Sequence, residues 1–281
     1  MKKKILFACG MALAATLMAG CDKIEKDQYW LYAGANGTWY DTDEDVPMVQ
    51  NAFIEKYTGV RCKNCPTADE VLHTALEKYG DRLSVAAIHS GAFAQPYGND
   101  EDLRCDAGNA WYEYFGISTQ PAALVMRAKS GTAWDLFTPT ANFDDKIDAV
   151  LNADATVGIL TTTVKDDNGN YCADIAVAFA RDVQEELTLT VLLMEDGLYT
   201  TQITPTGDKV DNYEQNHVLR TTVTDPWGID INAKGTAGEK RTVRLSIALD
   251  DHWNENNCTV VAFVSEKNTR KILNVSRTPL K

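Results

Sequence analysis

The sequence lacks the features that mark most hydrolases, nucleotide-binding proteins and nucleic-acid-binding proteins. Its 281 residues carry 27 Lys and Arg against 40 Asp and Glu, a formal net charge of −13, and no basic stripe interrupts the acidic excess. A surface of that sign disfavours binding to nucleic acid and electrostatic attachment to anionic lipid. Because the chain also has no nucleophilic serine elbow, phosphate-binding loop or paired-histidine metal motif, hydrolysis and nucleotide binding have no support. We expect neither a cofactor nor a metal ion.

Long apolar runs are equally scarce, and no segment after residue 20 approaches the ~20 apolar residues that a membrane-spanning helix needs. Residues 1–20 begin with three lysines after Met1, continue with an apolar run and end in small residues before Cys21. This pattern is typical of a lipoprotein signal peptide, after which Cys21 is acylated and begins the mature protein. A transmembrane anchor is the alternative, but the apolar stretch is short for it. We therefore predict a body tethered by Cys21 to a lipid bilayer outside the cytoplasm.

The length of the chain predicts two domains, because 281 residues exceed what one modest core absorbs. Residues 21–45 are polar and acidic, which indicates a tether behind the signal peptide. Residues 46–154 mix apolar runs with helical periodicity, whereas residues 155–281 alternate with a period of two. The predicted fold class is therefore an α/β domain followed by an all-β domain.

The first domain contains a Cys-X-X-Cys pair, Cys62 and Cys65, between a predicted strand and a predicted helix. Residues 48–57 have the composition of a strand, a glycine turn follows, and residues 67–79 carry apolar side chains at helical spacing. A nearly continuous apolar run over residues 83–89 predicts a second, buried strand. These elements form a βαβ unit with the cysteine pair at the start of its helix.

A cysteine pair in that position predicts thiol-disulfide exchange with protein disulfide or thiol substrates. We expect Cys62, exposed at the helix start, to attack as a thiolate and Cys65, one turn in, to resolve the mixed disulfide. The charges of Arg61 and Lys63 would favour the thiolate. A permanently oxidised structural disulfide is the competing interpretation, since disulfides persist outside the cytoplasm.

Two further residue types bear on that site. His89, at the end of the second strand, could tune Cys62 or shuttle its proton, although a lone histidine there is more often hydrogen-bonded structure. Cys62, Cys65, Cys105 and His89 would supply a zinc ligand set, but the second closely spaced ligand pair that zinc sites prefer is missing. The role of Cys105 stays open between transient pairing with Cys62 or Cys65 and a buried thiol.

The second domain reads as antiparallel strands joined by turns, about seven in number, which suggests an immunoglobulin-like β-sandwich. Cys172 opens the second of these strands and Cys258 the penultimate one. In such a sandwich these strands lie in facing sheets, so a Cys172–Cys258 disulfide is sterically sensible. In the period-two alternation of its strand, Cys172 is in phase with alanines rather than with the large apolar residues, which argues against the disulfide. A paired and an unpaired state both stay open.

In the first domain, the order βαβαββα, the cysteine pair at the first helix and the proline that enters the third strand resemble a thioredoxin-fold domain. That proline is Pro121, and residues 131–135 are expected to form the antiparallel fourth strand that follows. The resemblance implies that Pro121 follows a cis peptide bond and lies against the cysteine pair, where it would shape the surface that receives a substrate backbone. An X-Pro bond adopts the cis form at small cost, so this role is physically permissible.

Stretches of both domains carry a second resemblance. They are TGVRCKNCP at residues 58–66, AIH at 87–89, YFGI at 114–117 with Pro121 and Arg127, NHVLR at 216–220 and VVAFV at 260–264. In them the chain is similar to the outer-membrane-protein-28-related lipoprotein family. The resemblance implies a thioredoxin-like domain, a β-rich partner domain and a lipid anchor in the cell outer membrane, facing the periplasm or the cell surface.

Two functions follow as hypotheses. The first is a lipid-anchored protein that exchanges thiols and disulfides in the cell envelope through Cys62 and Cys65. The second is a non-enzymatic surface protein, such as an adhesin, that binds a protein partner through its β-rich domain and keeps the cysteine pair as a structural disulfide.

Overall fold

The computed structural model describes residues 37–166, 169–231, 233 and 235–281. The predicted signal peptide, residues 1–20, and the lipidation site Cys21 lie outside the described residues. Within the described ranges, no helix is long and apolar enough to cross a membrane.

The described chain is mainly β-sheet with a few helices, so the predicted α/β and β-rich composition is confirmed at that level. The strands are β1 (Tyr40–Asp41), β2 (Ala52–Thr58), β3 (Leu83–His89), β4 (Ala122–Val125), β5 (Lys129–Ser130), β6 (Ala133–Trp134), β7 (Val157–Lys165), β8 (Tyr171–Phe179), β9 (Leu187–Glu195), β10 (Leu198–Ile203), β11 (Lys209–Gln215), β12 (Val218–Thr222), β13 (Ile229–Asp230), β14 (Lys240–Ile247), β15 (Cys258–Glu266) and β16 (Ile272–Pro279). The α-helices are α1 (Cys65–Tyr79), α2 (Asp106–Tyr114) and α3 (Asp144–Leu151).

The predicted βαβ unit is present. Strands β2 and β3 run parallel, with Ile54 opposite Val85, and α1 connects them. Both strands are buried along their whole length, as their near-continuous apolar sequences require. Strand β4 pairs antiparallel with β2 on the other side, so that Tyr57 lies opposite Ala122.

The prediction for the strand after β4 was wrong. We expected residues 131–135 to form an antiparallel fourth strand. The structure instead folds β5 and β6 into a two-stranded hairpin of their own, and the free edge of β4 is met by an antiparallel bridge between Ala123 and Phe137. The positive φ of 66° at Gly131 places the turn of this short hairpin inside the predicted strand.

The β-rich region contains two facing sheets with a core between them. One sheet has the order β1-β14-β8-β7, and part of the other has the order β16-β15-β9. The alternating large side chains predicted to point inward do so, since Ile175, Val177, Phe179 and Val243 belong to the core between the sheets. The described residues of this region form ten strands, more than the seven or so expected.

One sheet continues from the first region of the chain into the second. Strand β12 pairs antiparallel with β9 and parallel with β3, where Val218 lies opposite Ala87. The resulting eight-stranded sheet has the path β16-β15-β9-β12-β3-β2-β4, with β13 paired to β9. A second core on its other face joins the two regions, and in it the rings of Phe53 and Phe263 lie 5.4 Å apart. The boundary at residues 154 and 155 stays a prediction.

A buried ion pair lies within this second core. Arg127, which follows β4, donates from Nε and Nη2 to the carboxylate of Glu55 in β2 at 2.9 and 2.6 Å. Both side chains are 1% exposed. The guanidinium carbon lies 4.8 Å from the ring centre of Trp111 and 4.9 Å from that of Phe263. The bidentate geometry satisfies charges that would be costly to bury alone.

The structure does not join Cys172 to Cys258. The side chains of Tyr171, Ala173 and Ile175 enter the core between the sheets, so Cys172, one residue out of phase, points to the opposite face of β8. Cys258 lies inside that core and is 2% exposed. The two thiols therefore face different sides of the first sheet, which corrects the proposed disulfide. The alternation of residues along β8 indicates this in the sequence, because Cys172 is out of phase with the large apolar side chains.

Candidate functional site

The two cysteines of the Cys-X-X-Cys pair form a disulfide between the end of β2 and the start of α1, with 5.4 Å between their Cα atoms. Two tight turns shape the loop: the Cys62 amide donates to the Gly59 carbonyl at 3.0 Å, and the Cys65 amide donates to the Cys62 carbonyl at 3.3 Å. Gly59 is required by a close approach, because a Cβ atom there would lie 2.4 Å from the carbonyl carbon and oxygen of Phe93.

Two details of the predicted site were wrong. Helix α1 begins at Cys65, not at Cys62, and Pro66 occupies its first turn. Cys62 was expected to be exposed, but it is 3% exposed and Cys65 is 1% exposed. Segments distant in the sequence cover the disulfide, which no local pattern around Cys62 could indicate.

The first covering segment is the loop after β3. The Arg61 amide donates to the Phe93 carbonyl at 2.8 Å. The Arg61 guanidinium donates to the carbonyls of Gln95 and Pro96 at 2.7 and 2.6 Å and lies 4.1 Å from the ring centre of Tyr97. Arg61 therefore ties the cysteine loop to residues 93–97. Lys63 is exposed beside the disulfide.

The second covering segment is the hairpin of β10 and β11, which belongs to the β-rich half of the chain. The Ile203 amide donates to the Val60 carbonyl at 3.0 Å. The Gln202 side-chain amide donates to the Cys62 carbonyl at 3.2 Å. No motif near the cysteines signals Gln202, because it lies 140 residues from Cys62 in the sequence.

Pro121 lies at the same edge of the sheet as the cysteine loop. The Gln120–Pro121 peptide bond is cis, as the resemblance to the thioredoxin fold implied. Because Tyr57 pairs with Ala122, Pro121 is in register with the end of β2, from which the cysteine loop departs. Gln120 also donates from Nε2 to the Ser90 carbonyl at 3.0 Å, so the loops that precede β4 and follow β3 are joined there.

His89 ends β3 beside this edge, opposite Thr58. It is 1% exposed, and neither ring nitrogen has a hydrogen-bond partner among the described residues. Burial, reinforced by the charge of Lys56, lowers the pKa of His89 to about 3. His89 is therefore neutral near pH 7, which argues against a proton-shuttle role, and the hydrogen-bonded structural role expected for it is also not observed.

A buried lysine that the sequence did not indicate as a site residue lies behind α1. Lys56 in β2 forms an ion pair with Asp69 of α1, and its side chain is 4% exposed. Burial lowers the pKa of Lys56 to about 7, and the Asp69 carboxylate opposes this shift because it favours the ammonium form. The pair lines a cavity of about 350 Å³ between α1 and β11, together with His73, Tyr213 and His217. In the sequence, the sign of this buried ion pair is a charged residue inside an otherwise apolar strand.

The remaining candidate ligands are not assembled around the disulfide. Cys105 is the N-cap of α2, where its sulfur accepts from the Gly108 amide at 3.4 Å. Burial raises the pKa of the Cys105 thiol to about 11, which is the behaviour of a buried thiol. Among the described residues no group of three or more His, Cys, Asp or Glu side chains is placed to hold a metal ion.

Comparisons with known proteins bear on both halves of the chain. Residues 108–281 match the family described as Outer membrane protein Omp28. HBP35 of Porphyromonas gingivalis has a TM-score of 0.63 at 19% identity, covering 84% of this chain and 77% of its own. A protein of Agrobacterium tumefaciens has a TM-score of 0.53 at 14% identity, covering 82% of this chain and 95% of its own. These two likenesses show a shared fold.

A domain of the outer membrane lipoprotein Omp28 from Porphyromonas gingivalis is also similar, with 17% identity over 45% of this chain and 89% of its own, at a TM-score of 0.32. No curated protein matches the chain significantly.

Proposed function

The chain belongs to the Omp28 family of outer membrane proteins, and we propose from that premise that it is a lipid-anchored envelope protein that exchanges thiols and disulfides. The observation that carries the proposal is the Cys62–Cys65 disulfide between a buried strand and the first turn of a helix. Helix amides and the helix dipole favour a thiolate at such a position.

The arrangement around the disulfide supports a thioredoxin-like first domain. Strand order β3-β2-β4, a parallel β2–β3 pair connected by α1, and the cis bond before Pro121 are the elements of that proposal. The two facing sheets between residues 155 and 281 support an immunoglobulin-like second domain. In the same proposal, residues 1–20 are a signal peptide and acylated Cys21 is the membrane anchor. The tether expected over residues 21–45 is shorter than that, because Tyr40 and Asp41 pair with β14.

The reaction follows from the spacing of the two sulfurs. In the reduced protein, the Cys62 thiolate attacks one sulfur of a substrate disulfide, that S–S bond breaks, and the first substrate thiolate leaves and takes a proton. The Cys65 thiolate then attacks the Cys62 sulfur and releases the second substrate thiol. The product is the oxidised pair, which is the form present in the structure. Arg61 and Lys63 flank Cys62 in the sequence, and their positive charges would favour its thiolate.

The second candidate is a non-enzymatic surface protein in which Cys62 and Cys65 form a structural disulfide. The observation that favours it is the exposure of the pair, 3% and 1%, since a catalytic sulfur must be reached by its substrate. In this case the β-rich half would bind a protein partner and the first domain would serve as scaffold.

The reduction potential of the pair separates the two candidates. Exchange at Cys62 predicts a value near the ~−270 to −120 mV of thioredoxin-like catalysts, together with reduction of insulin that Cys62→Ser abolishes. Cys172→Ser, which alters a thiol outside the pair, is the matched control and should retain activity. A potential below about −300 mV with no insulin reduction would overturn the enzymatic proposal. Loss of lipid labelling in Cys21→Ala tests the anchor separately.

A further inference from the structure

The hairpin of β10 and β11 is built unlike the rest of the β-rich region. It forms a two-stranded sheet of its own, and most of β11 is exposed. Two-stranded hairpins are only marginally stable in water, so its position depends on what it contacts. Its contacts are with the cysteine loop, with the loop after β3 and, across the cavity that Lys56 lines, with α1. None of the residues 198–215 belongs to either core.

The hairpin binds the cysteine loop through main-chain acceptors. The carbonyls of Val60 and Cys62 receive the Ile203 amide at 3.0 Å and the Gln202 side chain at 3.2 Å. A main-chain carbonyl accepts from any extended polypeptide, because every residue except proline supplies an amide. The acceptors that hold the hairpin are therefore also acceptors for a peptide lying along the same edge.

Contacts farther from the cysteines hold the hairpin in register. The Thr201 amide donates to Asp100 at 2.8 Å, and the Lys209 ammonium lies 4.2 Å from the Tyr97 ring centre. Inside the hairpin, the Gln215 side-chain amide donates to the Gln202 oxygen at 3.1 Å and so orients the amide that contacts Cys62. All of these partners are polar or lie on a loop.

We propose that the β10–β11 hairpin is a displaceable cover of the Cys62–Cys65 disulfide, and that the substrate is an extended polypeptide segment that takes over the hydrogen bonds of the hairpin to Val60 and Cys62. The inference rests on the proposed function, because it names the substrate class and the regulation of that site. It also reconciles a reactive pair with its burial: the sulfurs are reached only when the hairpin leaves.

The first test measures how fast dithiothreitol reduces the disulfide in the purified full-length protein. Gln202→Ala removes the donor to Cys62 and should raise the rate about five- to tenfold, the factor expected for one hydrogen bond in the opening equilibrium. Tyr199→Ala is the matched control, because Tyr199 lies on the same strand with 60% exposure and should leave the rate unchanged. Circular dichroism establishes that each variant is folded. If Gln202→Ala is not folded, Gln202→Glu is used in its place, because it also lacks the donor.

The second test traps the substrate complex. In Cys65→Ser, Cys62 is joined through a mixed disulfide to a ten-residue cysteine peptide, and hydrogen exchange is measured over residues 198–215. The cover predicts faster exchange at the Ile203 amide in the complex than in the same variant carrying a single cysteine on Cys62. Equal exchange in both adducts, or equal reduction rates in Gln202→Ala and the wild type, would overturn the proposal.

These outcomes are distinguishable from failure of the proposed function. A faster reduction of Gln202→Ala without any insulin reduction would support the cover and reject the enzyme. Insulin reduction at equal rates in the wild type and Gln202→Ala would support the enzyme and reject the cover.

Discussion

The buried, unpartnered His89 makes a prediction about stability and pH. The pKa of His89 is lowered from 6.5 to about 3, first by burial and then by the charge of Lys56, with Asp102 acting in the opposite direction. Because the pKa of His89 is lower in the folded chain than in the unfolded chain, the unfolded chain binds a proton at His89 at pH values where the folded chain does not. The contribution of neutral His89 to the free energy of unfolding is fully present above pH 6.5 and is lost as the pH falls from there toward 3.

The size of the effect follows from the two pKa values. One pKa unit corresponds to ~1.4 kcal/mol, so His89 should remove about 2 kcal/mol of the free energy of unfolding by pH 5 and about 4 kcal/mol by pH 3. His89→Leu cannot take up the proton and should lack this share of the acid sensitivity. At pH 7.5 it should be at least as stable as the wild type in this respect, since it also removes two buried nitrogens without partners.

Urea unfolding at pH 7.5 and pH 5 measures the quantity directly. The difference between the wild type and His89→Leu cancels the contribution of the other titrating groups. His73→Leu is the matched control, because it removes an imidazole whose side chain on α1 is 72% exposed and so separates the loss of a buried ring from the loss of an exposed one. If the wild type and His89→Leu lose the same free energy between pH 7.5 and 5, then His89 is protonated in the folded protein and the argument fails.

Three further predictions concern the core, the cysteine loop and the remaining thiols. Glu55→Gln should lower the free energy of unfolding in urea by about 3–5 kcal/mol, because it leaves the buried charge of Arg127 uncompensated. Gly59→Ala should lower it by about 1–3 kcal/mol, since the added methyl group meets rigid backbone, and should also speed reduction of the disulfide beside it. Alkylation of unreduced, denatured protein followed by peptide mapping should label both Cys172 and Cys258.

Each of these predictions has a contradicting result. Asp174→Asn breaks an exposed pair with Arg244 and should cost less than about 1 kcal/mol, so a similar loss in Glu55→Gln would show that burial does not set the cost. An unchanged urea midpoint in Gly59→Ala would mean that the loop after β3 moves to accommodate the added methyl group without loss of stability. A peptide in which Cys172 is linked to Cys258 would restore the disulfide that the strand parity excludes.

The sequence predicted the parts of the fold that short-range patterns encode. Apolar runs located β2 and β3, helical spacing located α1, and period-two alternation identified the side chains that line the sandwich core. The cysteine pair and the proline before β4 also located one edge of the sheet correctly. Each of these signals lies within a few residues of the feature that it predicts.

The parts that were missed depend on contacts between distant segments. Burial of Cys62 depends on Gln202 and on the loop at Phe93, and neither residue type signals such a contact in its own surroundings. Glu55 and Lys56 mark β2 as a strand with charges among apolar residues, but the sequence does not show that both charges are buried and paired, because their partners Arg127 and Asp69 lie in other elements. The strand at residues 131–135 failed because a glycine with positive φ places a turn where the pattern suggested extended chain.

The continuous sheet has a consequence for how this chain can be divided. Strand β12 covers the edge of β3, and the face that holds Phe53 is closed by residues of the β-rich half. A fragment ending near residue 154 would expose the hydrogen-bonding edge of β3 and an apolar surface at once, which is the condition for aggregation. Strand β12 is also the direct continuation of the covering hairpin, with one turn between Gln215 and Val218. The covering hairpin is therefore continuous with the strand that completes the sheet, so that removing the β-rich half would remove both the cover of the disulfide and the cover of the β3 edge.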